Sequence, residues 1–314
     1  MMSYYLQYLC CFLGHQLVFR QAEEMFSVIS GITVTDKQIE RVCHHYGEAF
    51  EQDYANGELV EKSPGLKTSN AALVYVMFDG GMILSRDREH AWKEFKLARI
   101  FMQSNHVKNV SKDKSVIMQS FYISHLGSSD KFFRKLEPYT ECLNRKKMIF
   151  IADGAVWIWK WIDDLYEESI QILDYYHATE HLCQFAALHF SGQKEKTGWI
   201  KQMEKLLLND DVAKVITHLE GLLKSIKKQK VEAELLKLIQ YYRNNEKRMK
   251  YKTFRDNGYL IGSGAMESAI RNVIQQRLKK SGQRWTIAGA QQVGNLRTLF
   301  LSNMHEVVRQ KIAG

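Results

Sequence analysis

The stretch Ala72-Leu-Val-Tyr-Val-Met-Phe78 runs directly into Asp79-Gly80-Gly81. Seven apolar residues, rich in β-branched and aromatic side chains, read as a buried strand, and the Asp-Gly-Gly that follows reads as the turn ending it. The same form returns at Met148-Ile-Phe-Ile-Ala152, closed by Asp153-Gly154, and more briefly at Ile170-Gln-Ile-Leu173, closed by Asp174. Trp92 to Phe101 and Ser115 to Ser124 supply two further predicted strands, and Gly127 to Leu143 a helix. Three strands each closing on an aspartate, two of them leading into helical patterns, predict a mixed α/β layer with strand ends converging on one edge. Chemistry is expected at that edge.

Toward the N-terminus the pattern is helical. Thr35 and Gln38 have capping-box spacing, and Ile39, Val42, Cys43, Tyr46 and Phe50 then recur on one face. A shorter helix precedes this one and breaks at Gly31, so the pair reads either as a helix-turn-helix or as a plain helical hairpin. The apolar opening, Met1 to Leu13, lacks a basic leader and a cleavage site and is too short to span a bilayer; it reads as a buried helix or the exposed remnant of one.

Toward the C-terminus, Tyr176 to Arg255 is helical throughout, rich in Leu, Lys and Glu. Its four lysines between Lys224 and Lys230 form a solvated face or a DNA contact. Gly258-Tyr-Leu-Ile-Gly262-Ser-Gly264-Ala-Met-Glu267 then leads into a long helix expected from Ala265 to Lys280, with Glu267 in its first turn. The expected organisation is an N-terminal helical region over residues 1–68, the first part of a core over 69–175, a helical insertion over 176–256, and C-terminal core helices over 257–314.

Composition narrows the partners. The 44 basic against 35 acidic residues leave a net charge of +9, which attracts a polyanion, most commonly nucleic acid. Two prolines and no low-complexity run argue against a disordered linker or a short-loop all-β domain, so helices should dominate. Five cysteines without a Cys-x-x-Cys pair argue against a disulfide framework or zinc ribbon and suit a reducing cytoplasm.

Asp79 and Asp153 sit beside glycines that let backbone and substrate approach, and a glutamate on a separate helix would complete a set of hard oxygen ligands. Phosphoryl transfer needs little more than two metal ions about 3.5–4 Å apart held by such carboxylates. The same strand-Asp-Gly form also occurs at ordinary turns and in nucleotide-binding sheets. Arg271, four residues after Glu267, shares its helical face, and Arg277, Lys279, Lys280 and Arg284 make the continuation basic. Lys93, Lys96 and Arg99 face the DNA backbone or solvent. His177 and His181, with Asp174 and Cys183 near, have a spacing that suits a transition metal, against which stand core or DNA-backbone roles. Trp157, Trp159 and Trp161 are expected to pack a helix into its surroundings, with base stacking by one of them as the alternative.

Five ordered strings are similar to those of one family. Val76-Met-Phe-Asp79-Gly-Gly, Trp92-Lys-Glu-Phe-Lys-Leu-Ala-Arg99, Ile151-Ala-Asp153-Gly-Ala, Leu173-Asp-Tyr-Tyr-His177-Ala-Thr-Glu-His181-Leu and Gly262-Ser-Gly-Ala-Met-Glu267-Ser-Ala-Ile-Arg271 resemble the ISKra-type insertion-sequence transposases. Gln275-Gln-Arg-Leu-Lys-Lys-Ser-Gly-Gln-Arg-Trp285 resembles their continuation, so the likeness covers residues 70 to 300. It implies an RNase H-like α/β fold with a helical insertion before the last glutamate. It also implies a triad of Asp79, Asp153 and Glu267 holding two Mg²⁺ or Mn²⁺ ions, with Asp174, His177 and His181 beside it. The implied reaction is cutting at the terminal repeats of an element in double-stranded DNA and joining to target DNA, by a self-associating bacterial protein of the nucleoid. The family's members have a longer N-terminal region, and this chain opens with Met-Met near what resembles its middle. A truncated or inactive DNA-binding relative, and a nuclease that cuts without joining, are the alternatives.

Overall fold

The computed structural model describes residues 2–63, 66, 71–87, 89–109 and 114–314; the expected boundary between residues 68 and 69 lies outside the described residues. In chain order, helices α1 (Tyr4–Gly14), α2 (Phe19–Ser30) and α3 (Asp36–Ala55) precede strands β1 (Val74–Leu84), β2 (Trp92–Met102), β3 (His106–Asn109), β4 (Lys114–Ile117) and β5 (Phe121–Leu126). Then come α4 (Ser129–Glu141), β6 (Met148–Ala152), α5 (Val156–Leu165), β7 (Ile170–Leu173) and α6 (Tyr175–His189). Helices α7 (Gln193–Leu207), α8 (Val212–Leu223), α9 (Gln229–Asn245) and α10 (Tyr251–Asp256) follow. The chain closes with α11 (Gly264–Ala269), a π-helical turn over Ile270–Gln275, α12 (Gln276–Leu278), α13 (Ile287–Leu301) and α14 (His305–Ala313).

The result is a mixed α/β protein, 60% helical, as the scarcity of proline led us to expect. Five strands form a mixed sheet in the order β5-β2-β1-β6-β7, and β3 pairs with β4 in a separate ribbon. Strand β2 runs antiparallel to both β1 and β5, whereas β6 and β7 are parallel. The predicted strand from Ser115 to Ser124 resolves into two, β4 and β5. By contact density the chain forms two compact units, Met1–Met148 with Ala265–Gly314, and Ile149–Gly264. No helix among the described residues is long and apolar enough to cross a membrane.

In the first unit, Thr35 and Gln38 form the expected capping box at the start of α3, and Gly31 ends α2 in the left-handed conformation that glycine tolerates best. Ile39, Cys43, Tyr46 and Phe50 are buried as their spacing predicts. Helix α3 lies against α13 so closely that a Cβ on Gly47 would stand 2.3 Å from the Gln292 carbonyl oxygen. It is therefore a central core helix of this unit. The hydroxyl of Tyr54, fully buried, meets the Thr298 hydroxyl at 2.9 Å. All five cysteines are free, with Cys10 and Cys11 of α1 and Cys43 of α3 buried, the Cys43 thiol donating to the Cys10 carbonyl.

His125 on β5 gives this unit a pH dependence. Burial, reinforced by Lys135, lowers its pKa from 6.5 to about 4. The unfolded chain therefore binds a proton in a range where the folded one does not, and stability falls as pH drops from about 6.5 through 4. Burial depresses His15 and His44 in the same direction. The urea midpoint is expected to fall between pH 7 and pH 5, and to fall less steeply in His125→Asn; equal slopes in the two proteins would remove His125 from the account.

In the second unit, β6 is buried along its whole length and β7 over its last two residues, Ile172 and Leu173. Helices α6 to α10 form the helical region expected from its composition. The lysines between Lys224 and Lys230 lie exposed on the α8–α9 connection. Trp159 and Trp161 are buried, Trp159 under the Arg248 guanidinium and Trp161 against Phe150 and Tyr166, which is the packing role expected of them.

Candidate functional site

Strand β1 does not turn at Asp79. It continues through Gly80 and Gly81 to Leu84, because Met82-Ile-Leu84 is again apolar and pairs with Trp92 to Glu94 on β2. The two glycines serve close approach. A Cβ on Gly80 would meet the Glu94 carboxylate, and one on Gly81 would sit 3.3 Å from Ile270 and 3.4 Å from Ile274. Residues two apart on a strand share a face, so Asp79, Gly81 and Met77 all look toward the segment that carries Glu267.

That segment runs along β1 in the same direction. Arg99, paired with Met77 across the hairpin, donates to the Ala265 carbonyl at 2.6 Å. Further along, Gly81 lies under Ile270 and Ile274, and the Trp285 N–H donates to the Leu84 carbonyl at 3.0 Å. Glu267 stands between Ala265 and Ile270, so it is carried along the stretch between Met77 and Gly81, where Asp79 lies. Asp79 is half-buried with Oδ1 accepting the Gly80 N–H at 2.7 Å, and Glu267 is exposed.

The long helix expected from Ala265 to Lys280 is interrupted by the π-helical turn over Ile270–Gln275. Arg297 from α13 explains how that turn is held. It donates to the carbonyls of Val273 (2.6 Å) and Asn272, and also to that of His15 (2.6 Å). Its burial lowers its pKa to about 10. Arg271 is exposed. Arg277 corrects an expectation, because it is fully buried between Phe19 and Trp285 and donates to the Gly14 carbonyl at 3.0 Å. Desolvation lowers its pKa to about 10, and a guanidinium so enclosed meets no DNA. Lys279 and Arg284 are exposed, and Lys280 is half-buried. Lys93 is paired with Asp87 at 2.8 Å. Lys96 and Arg99 are buried, Lys96 engaged with Glu94 and the Gly127 carbonyl, so neither faces a DNA backbone.

In the second unit, Asp153 follows β6 as predicted. Its Oδ1 accepts the Ala155 N–H at 3.0 Å, and its carbonyl accepts the Trp159 indole N–H at 2.6 Å. Gly154 lies flat on Tyr241, where any Cβ would stand 2.0 Å from the ring. The Tyr241 hydroxyl is buried without a hydrogen bond, and burial together with the charges of Asp153 and Asp174 raises its pKa. A cleft of about 660 Å³ opens beside it, lined by Gly154, Val156, Trp159, Tyr241, Asn244 and Arg248. Nothing in the helical pattern of α9 singled out Tyr241 or Asn244.

Asp174 is a cap rather than a ligand. Fully buried, it accepts the N–H groups of Tyr176 (2.7 Å) and His177 (3.1 Å) on Oδ1 and of Ser263 (2.6 Å) on Oδ2. It thereby ties the start of α6 to the segment that leads into α11. Asp174→Ala is expected to cost about 2–4 kcal/mol, the loss of a cap plus a buried orphaned N–H. Asp174→Asn, which keeps acceptors for α6, should cost less; equal midpoints for wild type and Asp174→Ala in urea would contradict this role.

His177 lies 3.7 Å from the Glu180 carboxylate, and the His181 ring stands 4.5 Å from that of Tyr241, where burial lowers its pKa. Among the described residues, no three His, Cys, Asp or Glu side chains gather closely enough to hold a metal ion. A separate zinc site at His177 and His181 therefore has no support in the geometry.

Comparison with known proteins gives a family and a relative. The family model described as "Uncharacterised protein family (UPF0236)" matches residues 22–307. A "UPF0236 protein in vanSb 3'region" of Streptococcus gallolyticus is 23% identical over 298 residues, covering 93% of this chain and 62% of the relative. The chain thus spans less than two thirds of that relative's length.

Proposed function

This chain belongs to the UPF0236 family, and from that premise we propose that it is a metal-dependent DNA transposase using Asp79, Asp153 and Glu267. The observation that carries the reading is the register of the Glu267 segment along β1, level with Asp79. Asp153, at the end of a buried strand and followed by glycine, is the third carboxylate. Three antiparallel strands continued by two parallel ones, with β1 central, support the RNase H-like reading of the sheet. The net charge of +9 supports DNA as the substrate.

All three ligands are hard oxygens, the donor set that Mg²⁺ or Mn²⁺ prefers. Two such ions would supply activation of the attacking oxygen and stabilisation of the leaving one. The carboxylates' part is to hold them at a DNA phosphate, first for hydrolysis at an element's end and then for attack by the freed 3′-hydroxyl on target DNA. Lys279, Lys280, Arg284 and Arg271 are the groups proposed to meet the DNA backbone. Assembly as a dimer or larger, and action in the bacterial cytoplasm, belong to the same proposal.

One observation favours a second reading, a transposase relative that binds DNA without cutting it: no three metal-binding side chains are gathered among the described residues. In the first reading metal and DNA together complete the cluster. The test is nicking and strand transfer on a labelled duplex carrying the DNA that flanks the gene, with Mg²⁺ or Mn²⁺, comparing wild type with Asp153→Asn. Metal-dependent joined products lost in the variant support the transposase. Nicks without joining support a nuclease, and binding without cleavage by either protein supports the non-catalytic relative.

A further inference from the structure

We infer that Trp92 and the loop following α12 form a receptor for one unpaired nucleobase and its phosphate at a DNA end, an inference that rests on the DNA reading above. Trp92 is 54% exposed, whereas Trp159, Trp161, Trp199 and Trp285 are all at 8% or less. The exposed Trp92 indole offers a face on which a planar ring can stack, beside a basic loop. It opens β2 opposite Leu84 and forms one wall of a pocket of about 250 Å³ with Lys279, Lys280, Gly282 and Gln283.

The pocket is built on fixed parts. Trp285 closes the loop beneath it, with its backbone N–H on the Leu84 carbonyl and its indole N–H on the Leu278 carbonyl, both at 3.0 Å. Gly282 takes a left-handed conformation, φ +71°, that turns the loop between those anchors. The space admits one ring system and no double helix. Asp87 is matched by Lys93 and Glu94 by Lys96, and the residues lining the pocket include Lys279 and Lys280 and no carboxylate.

Lys279 occupies the site now, its ammonium 5.7 Å from the centre of the Trp92 ring. A cation on an exposed aromatic face is held weakly. A base that stacks on Trp92 would displace the lysine outward, where the ammonium meets the phosphate of the same nucleotide. Aromatic stacking combined with a basic rim is how single-stranded nucleic acid is gripped without sequence preference.

The test uses the full chain, with a blunt duplex and the same duplex carrying a short thymidine overhang, read by fluorescence anisotropy and tryptophan emission. Wild type should bind the overhang more tightly and lose emission on binding it. Trp92→Ala should weaken overhang binding by about 5- to 100-fold, with blunt-duplex binding unchanged within about twofold. Trp92→Phe should restore much of the affinity without the emission change, which a merely structural role would not produce. Overhang binding unchanged in Trp92→Ala, or both duplexes weakened alike, overturns the receptor and leaves the transposase reading standing. Failure of wild type to bind either duplex overturns both.

Discussion

Glu267→Gln is expected to bind a duplex as wild type does and to nick it at least about 10³-fold more slowly in Mg²⁺, a loss of about 4 kcal/mol in barrier stabilisation. The substitution keeps volume and hydrogen-bonding capacity and removes only the charge that a divalent ion needs. Glu267 is exposed, and the helix around it is anchored by Arg99 on one side and by Ile270 and Ile274 on the other. The fold should therefore not register the change, and an unaltered melting temperature is part of the prediction. Asp79→Asn should lose activity as severely with the fold kept, since the amide oxygen can still accept the Gly80 N–H within β1. Nicking by Glu267→Gln within tenfold of wild type would remove Glu267 from the metal set. The geometry around Asp79 would then need another function.

The strands were legible where short apolar runs met glycine or aspartate: β2, β6 and β7 lie where the pattern predicts, while β1 lies on its predicted run but continues past the expected turn to Leu84. What local sequence could not separate is a glycine that turns the chain from a glycine that admits a neighbour. Asp79-Gly-Gly has the composition of a turn, yet the residues that decide its conformation are Phe95 to Leu97 across the hairpin and Ile270 and Ile274 nearly two hundred positions away in sequence. Arg277 was misread for a related reason. A tally of basic residues from Arg277 to Arg284 counts charge and not enclosure, and Phe19, which with Trp285 encloses that guanidinium, comes from the far end of the chain. The π-helical turn depends on Arg297 in the same way. Tyr241 and Trp92 were missed because an aromatic residue in a helix or strand is ordinarily core. Only the buried orphaned hydroxyl of the one and the exposure of the other mark them out.

Glu51→Ala should be the most destabilising single substitution in the first unit outside its apolar core, at about 3–5 kcal/mol. Lys135 on α4 is buried, with its ammonium 2.6 Å from Glu51, 3.0 Å from Asn295 Oδ1, 3.1 Å from the Ser124 carbonyl and 4.7 Å from the centre of the Tyr54 ring. It thus joins α3, α4, α13 and β5 at one point. Removing Glu51 leaves a buried cation with neutral partners only. Lys135→Met should cost much less, because the Glu51 carboxylate retains 31% of its side-chain exposure and the Asn295 amide at 2.7 Å. The sign of the pH dependence separates this from a simple loss of contacts. Burial already lowers the Lys135 pKa and Glu51 counters it, so without Glu51 the folded-state value falls further below that of the unfolded chain. The unfolded state then binds more protons between the two values, and stability rises with pH across that window. Urea unfolding of Glu51→Ala should accordingly recover part of its deficit between pH 7 and pH 9.5, while Lys135→Met should not. A deficit below about 1 kcal/mol, or one that is flat with pH, would mean that water already reaches the Lys135 ammonium and that the four elements are held by their apolar faces alone.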